Sequence, residues 1–142
     1  AEIDEWIVNG VDVSSQREIQ NTPETMAYLG FTYATDIAER AANFNLNASY
    51  RADVSQFEIT NAYIDQESVT LLNASAVWTS PSGRWLLGLY GKNLTDEDVR
   101  TAGYCFGNPA TTGCPSALGL ENNLTVFYAA PRTFTGTVGF RF

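Results

Sequence analysis

Along much of this chain, apolar and polar residues take turns one for one. The clearest case is Asn43–Asp53, NFNLNASYRAD, where Phe44, Leu46, Ala48, Tyr50 and Ala52 alternate with Asn45, Asn47, Ser49, Arg51 and Asp53. A period of two places the sets on opposite faces of a β-strand; an amphipathic helix would repeat every three to four residues. The same reading predicts strands over Thr25–Thr35, Val69–Thr79, Arg84–Lys92 and Phe134–Phe142. In Thr25–Thr35 the apolar face is Ala27, Leu29, Phe31 and Tyr33; in Val69–Thr79 it is Leu72, Ala74, Ala76 and Trp78. Arg84–Lys92 sets Trp85, Leu87 and Leu89 against a mixed side, and the last stretch sets Phe134, Gly136, Val138, Phe140 and Phe142 against Thr135, Thr137, Gly139 and Arg141. A trace of a sixth strand lies near Trp6–Val13.

The connections sort by length. DIAERAA joins the first two strands as a compact link with room for one helical turn, and SPSG joins the third and fourth as a tight turn. Val54–Ser68 and Thr95–Pro131 are long. Short turns at one end and long loops at the other are the pattern of an up-and-down transmembrane barrel. The expected fold is therefore all-β, an antiparallel up-and-down meander of five to six strands forming the closing part of such a barrel. Alternation alone fits a soluble barrel equally well. Two details favour lipid. Aromatics sit near strand ends on the apolar faces (Tyr33, Trp78, Trp85, Phe142), as interfacial girdles do. The opposite faces carry Asn, Ser, Thr and Gly with few charges.

Composition narrows the function. The 142 residues carry a net charge of −8, and Lys92 is the only lysine. Nucleic-acid binding needs clustered Lys and Arg to displace phosphate counterions, so none is expected; attachment to anionic lipid through a polybasic segment is disfavoured likewise. There is no histidine, which removes Ser–His and Cys–His nucleophiles and His-based zinc sites. No enzyme activity and no cofactor are expected; a carboxylate-dependent hydrolase is the residual catalytic option. No run reaches the ~20 apolar residues of a spanning helix. The start, AEIDEWIVNG, has no signal-peptide pattern, so the sequence is read as beginning mid-protein.

Several residues invite chemistry. Cys105 and Cys114 flank eight residues in a Gly-, Pro- and Thr-rich stretch, which suits a loop-closing disulfide worth roughly 2–3 kcal/mol; the alternative is two free thiols. Asp96, Glu97 and Asp98 could ligate calcium but lack EF-hand spacing, so solvated loop charges are expected. Asp65 and Glu67 form a nominal acid/base pair with nothing to place them in a pocket. Asn47, Asn73, Asn93 and Asn123 each open an N-x-S/T triplet, the pattern of a glycosylation acceptor on a eukaryotic secretory route; coincidence is the expected reading, since Asn47 and Asn73 fall on polar strand faces, where an amide suits a barrel interior. Asn45, Asn47, Arg51, Asn73, Arg132 and Arg141 are the candidate lumen-facing polar residues, with Lys92 a further cation. The arginines are read as contacts for an anionic solute or plug, or as partners of neighbouring carboxylates.

Taken together, NTPETMAYLGFTY, LLNASAVWTSPSGRWLLGLYGKNLTDEDVR and APRTFTGTVGFRF resemble the C-terminal end of TonB-dependent outer-membrane receptors over nearly the whole chain. The resemblance implies that residues 1–142 are the closing segment of a 22-stranded barrel in the bacterial outer membrane, with plug and remaining barrel supplied elsewhere, in the same or a separate chain. It implies active uptake of a scarce small-molecule solute such as a siderophore or other metal chelate. Its expected partners are outer-membrane lipid, the inner-membrane energy-coupling complex acting through the plug, and the outer-membrane assembly machinery. Phe134, Val138, Phe140 and Phe142 would form the assembly signal. The competing expectation is a small soluble β-barrel holding an apolar ligand against Phe31, Leu46, Trp78 and Leu89.

Overall fold

The structure, a computed structural model, describes residues 3–57, 60–106 and 123–142. The fold is all-β: nine strands and one 3-10 turn, with no α-helix among the described residues. The chain forms two compact units, one of residues 27–50, 70–97 and 130–142, the other of residues 1–26, 51–69 and 98–129.

The first unit is built on a five-stranded antiparallel sheet of β3 (Met26–Ile37), β4 (Arg40–Arg51), β5 (Val69–Thr79), β6 (Trp85–Lys92) and β9 (Thr133–Phe140), in that order. All five stretches read as strands from their alternation are here. Registers bring the apolar sets into line: Trp78 opposes Leu87, Ala76 opposes Leu89 and Ala74 opposes Gly91. Across the next pair, Trp85 opposes Phe140, Leu87 opposes Val138 and Gly91 opposes Phe134. Because side chains alternate strictly, this shared register gives the sheet one continuous apolar face and one mixed face, polar over β4 and β9 and interrupted by Tyr28, Val77, Leu86 and Tyr90. The sheet stays open, with β3 and β9 at its edges, so a closed barrel is not what these strands form.

The turns depart from expectation at one place. DIAERAA holds no helical turn; the strands run into a two-residue hairpin at Ala38 and Glu39, whose φ values are 51° and 59°. Two consecutive left-handed residues make the hairpin turn whose twist matches paired strands, and pairing twelve-residue strands outweighs about 1–2 kcal/mol of strain for each non-glycine residue. The SPSG turn is as read: Gly83 sits at φ 71°, its N–H donates to the Ser80 carbonyl at 2.8 Å, and Ser80 Oγ accepts from the Trp85 N–H at 3.0 Å.

The second unit corrects two expectations. Trp6–Val13 is not a further strand of the main sheet but a miniature hairpin of β1 (Ile7–Val8) and β2 (Val11–Asp12) around Asn9–Gly10. The stretch between β6 and β9, read as one long loop, contains β7 (Arg100–Phe106) and β8 (Asn123–Tyr128), paired antiparallel. The apolar core of this unit is small: Ala52, Val54, Ile64, Val69 and Val99, with Ile64 1% exposed. Gly103 lets β7 lie against Ile64; a Cβ there would come within 2.7 Å of the Ile64 Cβ.

Candidate functional site

The five-stranded sheet carries most of the candidate residues, and its two faces differ in an unusual sense. On the apolar face, Leu29, Phe31, Leu89, Phe134 and Val138 are each at least 62% exposed. On the polar face, Asn45, Asn47, Asn73 and Ser75 are partly buried, while Tyr28, Thr32, Lys92, Thr133, Thr135 and Thr137 are exposed. Water normally selects against large uncovered apolar patches.

The polar face is held by a cross-strand ladder of amides and hydroxyls. Thr32 Oγ1 donates to Asn45 Oδ1 at 2.9 Å, and Asn45 Nδ2 donates to Ser75 Oγ at 3.3 Å. One row along, Asn73 Nδ2 donates to Asn47 Oδ1 at 2.9 Å, and Asn73 Oδ1 accepts from the Asn93 N–H at 2.9 Å. Asn45 thus belongs to one row with Thr32 and Ser75, and Asn47 and Asn73 to the next. The bonds also show what the triplets at Asn47 and Asn73 do locally: both amides are engaged with each other. The side chain of Asn123 lies outside the described residues.

Asn93 was singled out in the sequence only as the start of a triplet, and its structural role was not read there. It follows β6, is 6% exposed and takes φ 51°, a conformation asparagine tolerates better than most residues. Its Nδ2 donates to the Glu97 carbonyl at 2.8 Å, and its Oδ1 accepts from the Glu97 N–H at 3.0 Å. One side chain therefore folds the turn Leu94–Glu97 back on itself, while its backbone ties that turn to β5. The signal was an Asn beside Leu-Thr-Asp at a strand end, a local turn-former rather than a sugar acceptor.

At the short-turn end the aromatics interlock on the apolar face. Trp85 and Phe140 rings lie 4.6 Å apart, Phe140 and Phe142 meet edge-on at 5.2 Å, and Trp78 Nε1 donates to the Ile37 carbonyl at 3.1 Å. Tyr33 stacks on Phe44 at 6.4 Å. Phe134, Val138, Phe140 and Phe142 thus share one exposed face.

The cations divide. Arg132 pairs with Asp96 at 2.9 Å, both about half-exposed, so partnership with a neighbouring carboxylate is what this arginine has. Arg141 donates its backbone N–H to the Arg84 carbonyl at 2.8 Å, beside a cleft lined by Thr79, Gly83, Leu86 and Phe140. Arg51 ends β4, and its Nε and Nη2 are buried without a hydrogen-bond partner. The Asp96–Asp98 carboxylates are exposed and do not converge; among the described residues no group of three acidic, His or Cys side chains could hold a metal ion. Asp65 is a loop-closing acceptor: its Oδ1 takes the Gln56 N–H at 2.9 Å and its Oδ2 takes the Asn61 N–H. Glu67 is exposed and not paired with it. Cys114 and the side chain of Cys105 lie outside the described residues, and with them the expected disulfide.

Searched against protein families, curated proteins and solved structures, the chain matches none.

The apolar face bears a groove of about 660 Å³, lined by Phe31, Phe44, Leu46, Leu89 and Phe134 among others. Three of the four residues assigned from the sequence to an apolar ligand line it; Trp78 does not.

Proposed function

We propose that this chain is wall and lid of an active outer-membrane transporter of the TonB-dependent receptor type, taking up a scarce small-molecule solute such as a siderophore or other metal chelate. The observation that supports it is the apolar face of the sheet, where Leu29, Phe31, Leu89, Phe134 and Val138 stand exposed, opposite a face on which Asn45, Asn47 and Asn73 hydrogen-bond across strands. A tilted strand needs about 9–11 residues to cross a bilayer; β3, β4 and β5 reach that with 12, 12 and 11 residues, while β6 and β9 have 8 each. The two short turns fall at one end of the sheet and the two long connections at the other.

In this reading the rest of the barrel and the plug continue the two open edges, in the same or another chain. Solute is held by loops and lumen and released inward when the energy-coupling complex pulls on the plug. Asn45, Asn47, Arg51, Asn73, Arg132 and Arg141 belong to the lumen wall or its rim. Phe134, Val138, Phe140 and Phe142 form the strand read by the assembly machinery. The segment performs no catalysis of its own.

The test is the mass of the particle carrying this chain, extracted in mild detergent, together with flotation of that particle with phospholipid vesicles. Flotation, with a much larger polypeptide covalently continuous or co-purified, is the expected result. A lone 15.6 kDa species that stays monodisperse without detergent would refute it. That outcome would favour the second reading, a binder of a soluble apolar ligand, which the groove on the apolar face supports.

A further inference from the structure

The chain contains one asparagine followed by glycine, Asn9–Gly10, and the pair forms the turn of the β1–β2 hairpin. Both residues are exposed, at φ 51° and 79°. Val8 pairs with Val11, so the ladder closes around the turn and leaves the Gly10 N–H outside it. A Cβ built on Gly10 would meet nothing within 4 Å, so water and base reach this amide freely. Each strand is two exposed residues long. A hairpin that short is marginal by itself, and opening it to other backbone angles costs little.

These features suit an intramolecular reaction. The Gly10 backbone nitrogen, having given its proton to hydroxide, attacks Asn9 Cγ. The N–Cγ bond forms, the Cγ–Nδ2 bond breaks, and Nδ2 leaves as ammonia with a proton from water. Water then opens the cyclic imide at either carbonyl. Cleavage of the new N–Cγ bond gives aspartate in the ordinary backbone; cleavage of the original peptide bond gives a β-linked aspartate. Other asparagines lack one requirement or another. Asn21 is exposed at φ 52° but precedes Thr22, whose branched side chain crowds the attacking nitrogen. Asn45, Asn47 and Asn73 have their amides in cross-strand bonds, and Asn93 is buried.

We infer that Asn9 is a site of spontaneous deamidation and isomerisation, and that the β-linked product unties the hairpin. A β-linked residue carries an extra backbone atom through the turn, which the two-residue geometry setting the Val8–Val11 register does not accommodate. Asp12 Oδ1 meets the Trp6 N–H at 3.1 Å because the hairpin folds back, so that bond is lost with it. The site lies outside the five-stranded sheet and does not depend on the transporter reading.

The experiment incubates the particle carrying the full chain at mildly alkaline pH and follows each asparagine by peptide mass mapping. Labelling with an isoaspartate methyltransferase separates the β-linked product. The expected result is conversion at Asn9 about tenfold faster than at Asn21, a barrier difference of about 1.4 kcal/mol, with faster exchange of the Trp6 amide in the β-linked chain. Freshly prepared Asn9→Asp carries the new charge on an ordinary backbone and should keep the Trp6 amide protected. Conversion at Asn9 no faster than at Asn21 would overturn the assignment of the site. Unchanged Trp6 exchange after conversion, or equal loss of protection in Asn9→Asp, would overturn the untying of the hairpin by the linkage.

Discussion

Replacing Asn93 separates what its side chain holds from what its backbone conformation costs. Asn93→Ala deletes the two bonds to Glu97, at 2.8 and 3.0 Å, each worth about 1 kcal/mol net. It also leaves alanine in the left-handed region at φ 51°, costing about 1 kcal/mol more. The sum is a destabilisation of about 3 kcal/mol. Asn93→Gly loses the same bonds but accepts the conformation freely, so its cost is about 2 kcal/mol. Asn93→Asp keeps Oδ1 as an acceptor but turns an oxygen toward the Glu97 carbonyl, and should be no better than alanine. The assay is urea unfolding of the detergent-extracted particle, followed by tryptophan fluorescence, with the slope checked for constancy so that midpoints report stability. If alanine and glycine both fall within about 0.5 kcal/mol of the unaltered chain, the range of ordinary surface changes, the turn is not held by this side chain.

Other expectations are as specific. Gly88→Ala would place a Cβ 2.5 Å from Thr137 Oγ1 and 2.8 Å from the Tyr90 ring, costing about 1–3 kcal/mol; adding Thr137→Ala should recover part of the loss in the same unfolding assay. Gly103→Ala drives a Cβ into buried Ile64 and should destabilise the second unit by a similar amount, read as faster amide exchange in β7 and β8. Arg132→Ala breaks an exposed pair with Asp96 and should cost less than about 1 kcal/mol, by the same midpoint measurement. Asp12 has its pKa held below the ordinary carboxylate range by hydrogen bonds from the Ser14 and Trp6 backbone N–H groups, with the Ser14 side chain adding to them. A depressed folded pKa means its contribution is complete above the unfolded value and is lost as pH falls through the folded one. Amide shifts of Trp6 and Ser14 should titrate below that range, and Asp12→Asn should flatten both.

How much of this was legible beforehand follows from what each element relies on. β3, β4, β5, β6 and β9 announce themselves because each has one face unlike the other, and a two-residue period needs no tertiary context. β7 and β8 do not. RTAGYCF and NLTVFY lack a clean alternation, and their stability comes from pairing across some sixteen intervening residues and from Gly103 fitting against Ile64, neither visible locally. Ala38–Glu39 was missed for a similar reason: neither residue favours the left-handed region, and only the pairing on either side imposes it. The Asn9–Gly10 turn did carry a local signal, Asn-Gly, which the reading of Trp6–Val13 as one strand left unused. Of the candidate polar residues, Asn45, Asn47 and Asn73 were found by facing; Asn93, which organises their neighbour turn, was hidden behind a glycosylation triplet. Asp65 was placed in a loop but not recognised as the acceptor that closes it.

The pairing of β7 with β8 has a consequence for how the sheet acquires its last strand. About 40 residues separate β6 from β9, and closing a free loop of that length rather than one of about ten adds roughly 1 kcal/mol of chain entropy. Here Arg100 pairs with Tyr128, and the Ala129 N–H donates to the Val99 carbonyl at 2.8 Å. Once those contacts exist, the chain has already doubled back, and only the short spacers 93–98 and 130–132 remain free. The insertion thus preorganises the return of the strand it interrupts. Loosening β7 against β8 should slow docking of β9 onto β6 even though no residue of that docking surface is touched.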